Sequence, residues 1–253
     1  MKKALIILIL LLTQSVWAGD FSGWMGNPIP FNQTLAIEEF IGGSAGTTAT
    51  IGELGWSINS GSGGTLTVAN VNSAANHSGI KNGSLNAVAN GIGILSYTTL
   101  AGNNGTQIAT DLFDMTWIIR PQTNTDQDLA VGIAIWSAAA YPPTHGIYFE
   151  QDTAGANPTL WQCVTRFSST STTTATAITV ATNTWYKLRI HRNGVNNVLF
   201  YIDGVLVCTH TTNILAPTIN SLAPATLVKN LAALAAKTFD LDYFYYKVYG
   251  LSR

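Results

Sequence analysis

The chain has 253 residues, with 12 Lys and Arg against 13 Asp and Glu, and only 10% of its side chains are charged. A charge so thin and so nearly balanced lacks the Lys/Arg footprint that nucleic-acid binding requires. The length fits one large β-domain, and the abundant Thr, Ser, Asn, Gly and Ala suggest a surface solvated by hydroxyls and amides rather than ions.

The first eighteen residues read as a bacterial-type signal peptide. Lys2 and Lys3 precede an apolar run from Ala4 to Leu12, and Val16-Trp17-Ala18 puts small residues where a signal peptidase cuts. The apolar run is too short to span a bilayer, and no other stretch is long enough, so no membrane span is expected after cleavage. The expected localisation is secreted, periplasmic or cell-surface. Residues 19–33 are Gly-, Pro- and Trp-rich without a period and read as an extended leader; residues 34–253 read as the folded domain.

Strands are predicted at Thr34 to Ile41, Leu54 to Asn59, Thr65 to Val71, Gly91 to Thr98, Leu112 to Pro121, Leu129 to Trp136, Gly146 to Gln151 and Thr159 to Phe167. Turn-forming Gly, Asn, Ser or Pro clusters bound each of them. The low-complexity tract Ser168 to Thr176 reads as a hairpin loop, with a strand from Ala175 to Val180. Next comes the clearest signal, Trp185 to Gly194 and Val198 to Val207: three antiparallel strands joined by tight Gly turns. Leu188 and Ile190 alternate with Lys187, Arg189 and His191, which means one buried and one wet face. Asp203-Gly204 is a strong two-residue hairpin signal. The Ala/Leu run within Leu227 to Lys237 predicts one short helix or helical turn, and Lys237 to Tyr249 a last strand. The fold class is therefore all-β, an antiparallel β-sandwich or jelly roll.

Cys163 and Cys208 both fall in predicted strands. In an oxidising compartment such a pair forms a disulfide if the Cα atoms come close enough; otherwise both are small buried thiols. Trp56, Trp117 and Trp185 are expected in the core.

The segments Gly52-Glu-Leu-Gly-Trp56, Gly146-Ile-Tyr-Phe-Glu150, Trp185-Tyr-Lys-Leu-Arg-Ile190, Ile202-Asp-Gly204 and Asp240-Leu-Asp-Tyr-Phe244, with Asn76-His-Ser-Gly-Ile80, resemble a concanavalin-A-like, laminin-G-like jelly roll. The likeness extends to domains of phage virion proteins and of bacterial exported proteins, over roughly Leu35 to Arg253. It implies the fold but leaves the function open, because this sandwich hosts lectins, glycanases, lyases, adhesins and coat subunits.

Several constellations are candidates for chemistry. Acid pairs two residues apart stand at Asp126/Asp128, Glu150/Asp152 and Asp240/Asp242, the spacing that sets two carboxylates on one strand face for glycoside hydrolysis. The acidic patterns of laminarinase-like enzymes are missing. Tyr141, His145 and Tyr148 with Arg120, Arg166 and Arg189 supply lyase-type groups, without a lyase motif. The four histidines lack metal-ligand spacing. The resemblance implies a structural calcium instead, held by Glu39, Asp240 and Asp242 where terminal strands meet, and these hard oxygen donors suit that ion. For sugar stacking, Trp136, Tyr141, His145 and Tyr148 form the expected site, with Trp136 and Tyr141 as an exposed platform before Pro142-Pro143. The leading expectation is a non-catalytic glycan or cell-surface-polymer binder. A structural, adhesion or virion-like assembly subunit is the alternative, and a glycoside hydrolase or polysaccharide lyase with an atypical site the third.

Overall fold

The computed structural model describes residues 33–40, 51–52, 54–71, 79–97, 112–215 and 222–249, all within the unit Gln33–Arg253. The signal-like segment, residues 19–32 of the leader and His77 lie outside the described residues, and Gln33, expected in the leader, is already strand.

Among the described residues, fifteen strands build two wholly antiparallel sheets. The first sheet contains β1 (Gln33–Glu38), β3 (Leu66–Asn70), β4 (Lys81–Leu85), β6 (Leu112–Pro121), β11 (Tyr186–Gly194), β12 (Asn197–Ile202), β13 (Val205–His210) and β15 (Lys237–Tyr249). Its order is β13-β12-β11-β6-β15-β4-β3, with β1 on the far half of β15. The second sheet contains β2 (Trp56–Gly61), β5 (Ile92–Tyr97), β7 (Gln127–Ala134), β8 (Gly146–Asp152), β9 (Leu160–Phe167), β10 (Thr170–Thr179) and β14 (Ala223–Asn230). Its order is β10-β9-β8-β7-β14-β5-β2.

The core lies between the inner faces. Trp56 meets Phe244 edge-on with ring centroids 4.9 Å apart, and Trp117 packs on Phe244 at 5.3 Å. A second aromatic group joins Phe149 to Phe200 across the sheets at 5.2 Å. Trp56 and Trp117 are buried as expected, but Trp185 is half-buried under the guanidinium of Arg120, 4.8 Å from its ring centroid. Tyr186, one residue on, takes the core position, because the inward phase of β11 runs Tyr186, Leu188, Ile190, Arg192. Cys163 of β9 and Cys208 of β13 are bridged, with Cα atoms 6.5 Å apart, which ties one sheet to the other.

Two sequence expectations are corrected, and one strand is added to those expected. Leu227 to Lys237 forms no helix: it is the end of β14 followed by a turn. Leu227 sits between Ala130 of β7 and Ile94 of β5. The remaining Ala/Leu run is too short to nucleate a helix against that pairing. The Ser168 to Thr176 tract is mostly β10, which suits β-branched Thr; the loop shrinks to Ser168 and Ser169, both at positive φ. Strand β4 was concealed by its turn-like sequence KNGSL. It pairs here because Gly83 lies opposite Phe239, whose ring occupies the space a Cβ would need, at 2.4 Å.

Candidate functional site

Strict alternation gives the second sheet an outer face. On β7 the inward residues are Leu129, Val131 and Ile133, so Asp128, Ala130 and Gly132 point outward. On β8 the outward set is Tyr148, Glu150 and Asp152; on β9 it is Gln162, Val164 and Arg166.

The ladder pairings arrange these residues in rows. One row reads Lys229, Asp128, Asp152 across β14, β7 and β8. The next reads Leu227, Ala130, Glu150, Gln162, and the third Ala225, Gly132, Tyr148, Val164. Arg166, opposite Gly146, begins one row further on. Two of the sequence's acid-bearing positions, Asp128 and Asp152, thus stand directly opposite each other, with Glu150 beside them. A cleft of about 390 Å³ opens over these rows.

An apolar patch of Ile92, Ile94, Ala130, Tyr148, Val164, Ala225 and Leu227 lies on the same face, and its Tyr148 and Val164 line the cleft. The segment from Trp136 to Tyr141 folds back over it. Trp136 is no free platform: its indole N–H donates to the Ala223 carbonyl at 2.7 Å, and its ring packs on Tyr148 at 5.7 Å. Tyr148 itself is buried beneath it. The Tyr141–Pro142 peptide is cis, and the Tyr141 hydroxyl donates to the Glu150 carboxylate. His145 does not line the cleft; it meets Phe167 edge-on at 5.3 Å, and its Nδ1 lies 3.0 Å from the Thr144 hydroxyl. Of the four aromatic candidates, Tyr141 and Tyr148 reach the cleft, Trp136 buttresses it and His145 stands aside.

The electrostatics are unusual for a sheet surface. Asp128 is 5% exposed; Lys229 Nζ approaches its Oδ2 at 3.6 Å, whereas its Oδ1 is buried with no hydrogen-bond partner. Burial, then the charge of Asp152, push the Asp128 carboxyl up to about 7, against the pull of Lys229. Burial likewise raises Glu150 to about 7, opposed first by the hydrogen bond from Tyr141. Tyr141 is raised well above the usual phenol range by burial and by Glu150. Arg166 Nε is also buried without a partner. An acceptor and a donor, both unsatisfied, therefore border the same cleft. Sequence spacing pointed to the Glu150/Asp152 pair; Lys229, Gln162 and the meeting of Asp128 with Asp152 needed the ladder register.

The other acidic and basic candidates, Arg120, Arg189, Glu39, Asp240 and Asp242, lie outside the cleft lining. Asp240 accepts from Arg120 Nε at 2.7 Å and Asn82 Nδ2 at 2.7 Å, and also from Gln122 Nε2. Arg189 is held by Asp114 at 2.8 and 2.5 Å. Glu38, not Glu39, is the buried acid, accepting from the amides of Phe40 and Leu54 at 2.9 and 2.7 Å. Glu39 is exposed, and a bulge after Leu241 sets Asp242 out of plain alternation with Asp240. Among the described residues no three His, Cys, Asp or Glu side chains form a group placed to hold a metal.

Residues 98–242 match the family described as SO2946-like, C-terminal domain. The chain belongs to that family. No curated protein matches it in sequence. A similar structure is the protein of unknown function SO2946 from Shewanella oneidensis MR-1, with a TM-score of 0.62 at 15% identity, covering 90% of this chain and 92% of that one. Peanut lectin is similar at a TM-score of 0.55 and 10% identity, covering 87% of this chain and 99% of the lectin. The carbohydrate recognition domain of Emp47p follows at 0.51 and 10%, covering 89% of this chain and all of that domain. At such identities the likeness establishes the fold: this member of the SO2946-like family is a concanavalin-like jelly roll.

Proposed function

We propose that the chain is an exported, non-catalytic glycan-binding protein whose site is the cleft on the outer face of the second sheet. The observation that carries this reading is the pair of unsatisfied polar atoms, Asp128 Oδ1 and Arg166 Nε, at a cleft with the Tyr141 ring in its wall. Buried polar atoms cost free energy unless something pairs with them, and a sugar hydroxyl both donates and accepts. Gln162 and Asp152 add amide and carboxylate groups of the kind that fix sugar orientation. The shared fold with peanut lectin and a carbohydrate recognition domain supports the reading. The signal-like Lys2 to Ala18 segment supports export.

The test is a glycan-array screen of the purified protein beside Asp128→Asn and Arg166→Ala. Selective binding that both variants weaken is the expected result; no binding by the folded protein would move the assignment to a structural or assembly role. A hydrolytic reading draws on one observation, that Asp128 and Glu150 both titrate near 7, where a carboxyl acts as general acid. Release of new reducing ends from the bound glycan would select it.

A further inference from the structure

The charges in the cleft are unevenly divided. Its first two rows hold three carboxylates, from Asp128 on β7 and Glu150 and Asp152 on β8, against one ammonium, Lys229 on β14. Arg166 on β9 starts two rows beyond Glu150, on the other side of Tyr148, and β10 contributes only Ser171 and Thr173. Like charges directly opposite each other on a sheet are destabilising. Lys229 reaches Asp128 Oδ2 at 3.6 Å, Ala154 N–H donates to Asp152 Oδ1 at 2.9 Å and Tyr141 donates to Glu150, yet Asp128 Oδ1 is buried with no donor group from the rest of the fold, and only a proton shared with Asp152 relieves the two facing carboxylates.

We propose that the acidic end of this cleft selects a sugar carrying a free, cationic amino group over its N-acylated or neutral counterpart, an inference that rests on the glycan-binding reading. A sugar hydroxyl can satisfy Asp128 Oδ1 but leaves the repulsion among the carboxylates in place. An amide offers a donor but no charge. An ammonium offers three donors and a positive charge at once, and so both satisfies the orphan oxygen and offsets the surplus negative charge. The sugar ring then lies toward Tyr141, with its hydroxyls toward Gln162 and Arg166.

The pH dependence follows in a definite direction. Asp128 and Glu150 ionise near 7, so affinity for the amine rises as pH passes through that range, until the ligand amine loses its own proton. Lys229, Arg166, Asp152, Tyr141 and Tyr148 are the other titratable groups that face them.

The experiment is calorimetric titration of the full chain with a fully deacetylated glucosamine hexasaccharide and with its N-acetylated counterpart, at about pH 5.5 and about pH 7.5. Expected is binding of the amine form at least about tenfold tighter while the ligand amine is protonated, with the preference shrinking once that amine becomes neutral. Asp128→Asn and Glu150→Gln should each erase the preference while circular dichroism stays native; having both guards against one failing to fold. Equal affinity for the two hexasaccharides would overturn the inference and leave the glycan reading intact. So would binding of neither while other glycans bind. Spermidine, a sugar-free cation, bound as tightly as the amino sugar would overturn the glycan reading itself.

Discussion

Asp240 on the first sheet and Asp128 on the second are both buried aspartates on strands, and they live in opposite circumstances. Asp240 is fully buried, with Arg120, Asn82 and Gln122 converging on its two oxygens. Asp128 shares one lysine, faces a second carboxylate across the ladder and keeps an oxygen unpaired. The first arrangement is what a fold does with a charge it must bury: surround it with donors. The second leaves a stability cost in place beside an open cleft, and such costs concentrate where a ligand can relieve them.

The contrast can be broken at several points. The largest effect is expected from the disulfide that clips the sheets together. It closes a loop across a sequence separation of 45, so the double variant Cys163→Ala/Cys208→Ala should lose about 4 kcal/mol in chemical denaturation. Both sheets should unfold in one transition, since they share one core. Next, Asp240→Ala should cost about 3 kcal/mol, because it strands the Arg120 guanidinium.

Asp128→Asn should do the reverse. The folded-state pKa is raised from 3.8 to about 7. The folded protein therefore holds a proton that the unfolded chain releases, and stability falls as pH climbs from about 4 through about 7. The asparagine variant should escape that fall. It should match the parent below about pH 4 and exceed it by up to about 4 kcal/mol at pH 8, read as melting temperature against pH. Glu150→Gln should remove a second part of the same slope.

The smallest effect is expected from Tyr141→Phe, which deletes one hydrogen bond at a cost of about 1 kcal/mol. Because that bond favours ionised Glu150, its loss should move the Glu150 titration further upward, measurable by carboxyl-carbon NMR.

Much of the sandwich was legible in the chain. The bounds of β6 and β15 coincide with the expected Leu112 to Pro121 and Lys237 to Tyr249, and Asp203-Gly204 makes the β12–β13 hairpin with both residues at positive φ. These are local signals: period-two burial, β-branched and aromatic composition, and turn residues that accept unusual backbone angles. Strand β4 escaped because its Gly, Asn and Ser are turn formers, and it takes pairing with β3 on one side and with β15, from the far end of the chain, on the other to make a strand of them. The end of β14 escaped because an Ala/Leu run favours a helix until β5 and β7 bind it on both sides.

For the site, the chain by itself determined which side chains stand two apart on a strand, as Glu150 and Asp152 do, and that Tyr141 precedes a rigid Pro-Pro turn. Only the tertiary structure decided that Asp128 faces Asp152, that Lys229 arrives from a hundred residues away to lie beside them, and that Trp136 supports the wall instead of presenting a surface. The reason is physical. Alternation along a strand is set by the backbone within a few residues, whereas register between strands is set by which inner faces must pack together, and that packing involves the whole chain at once.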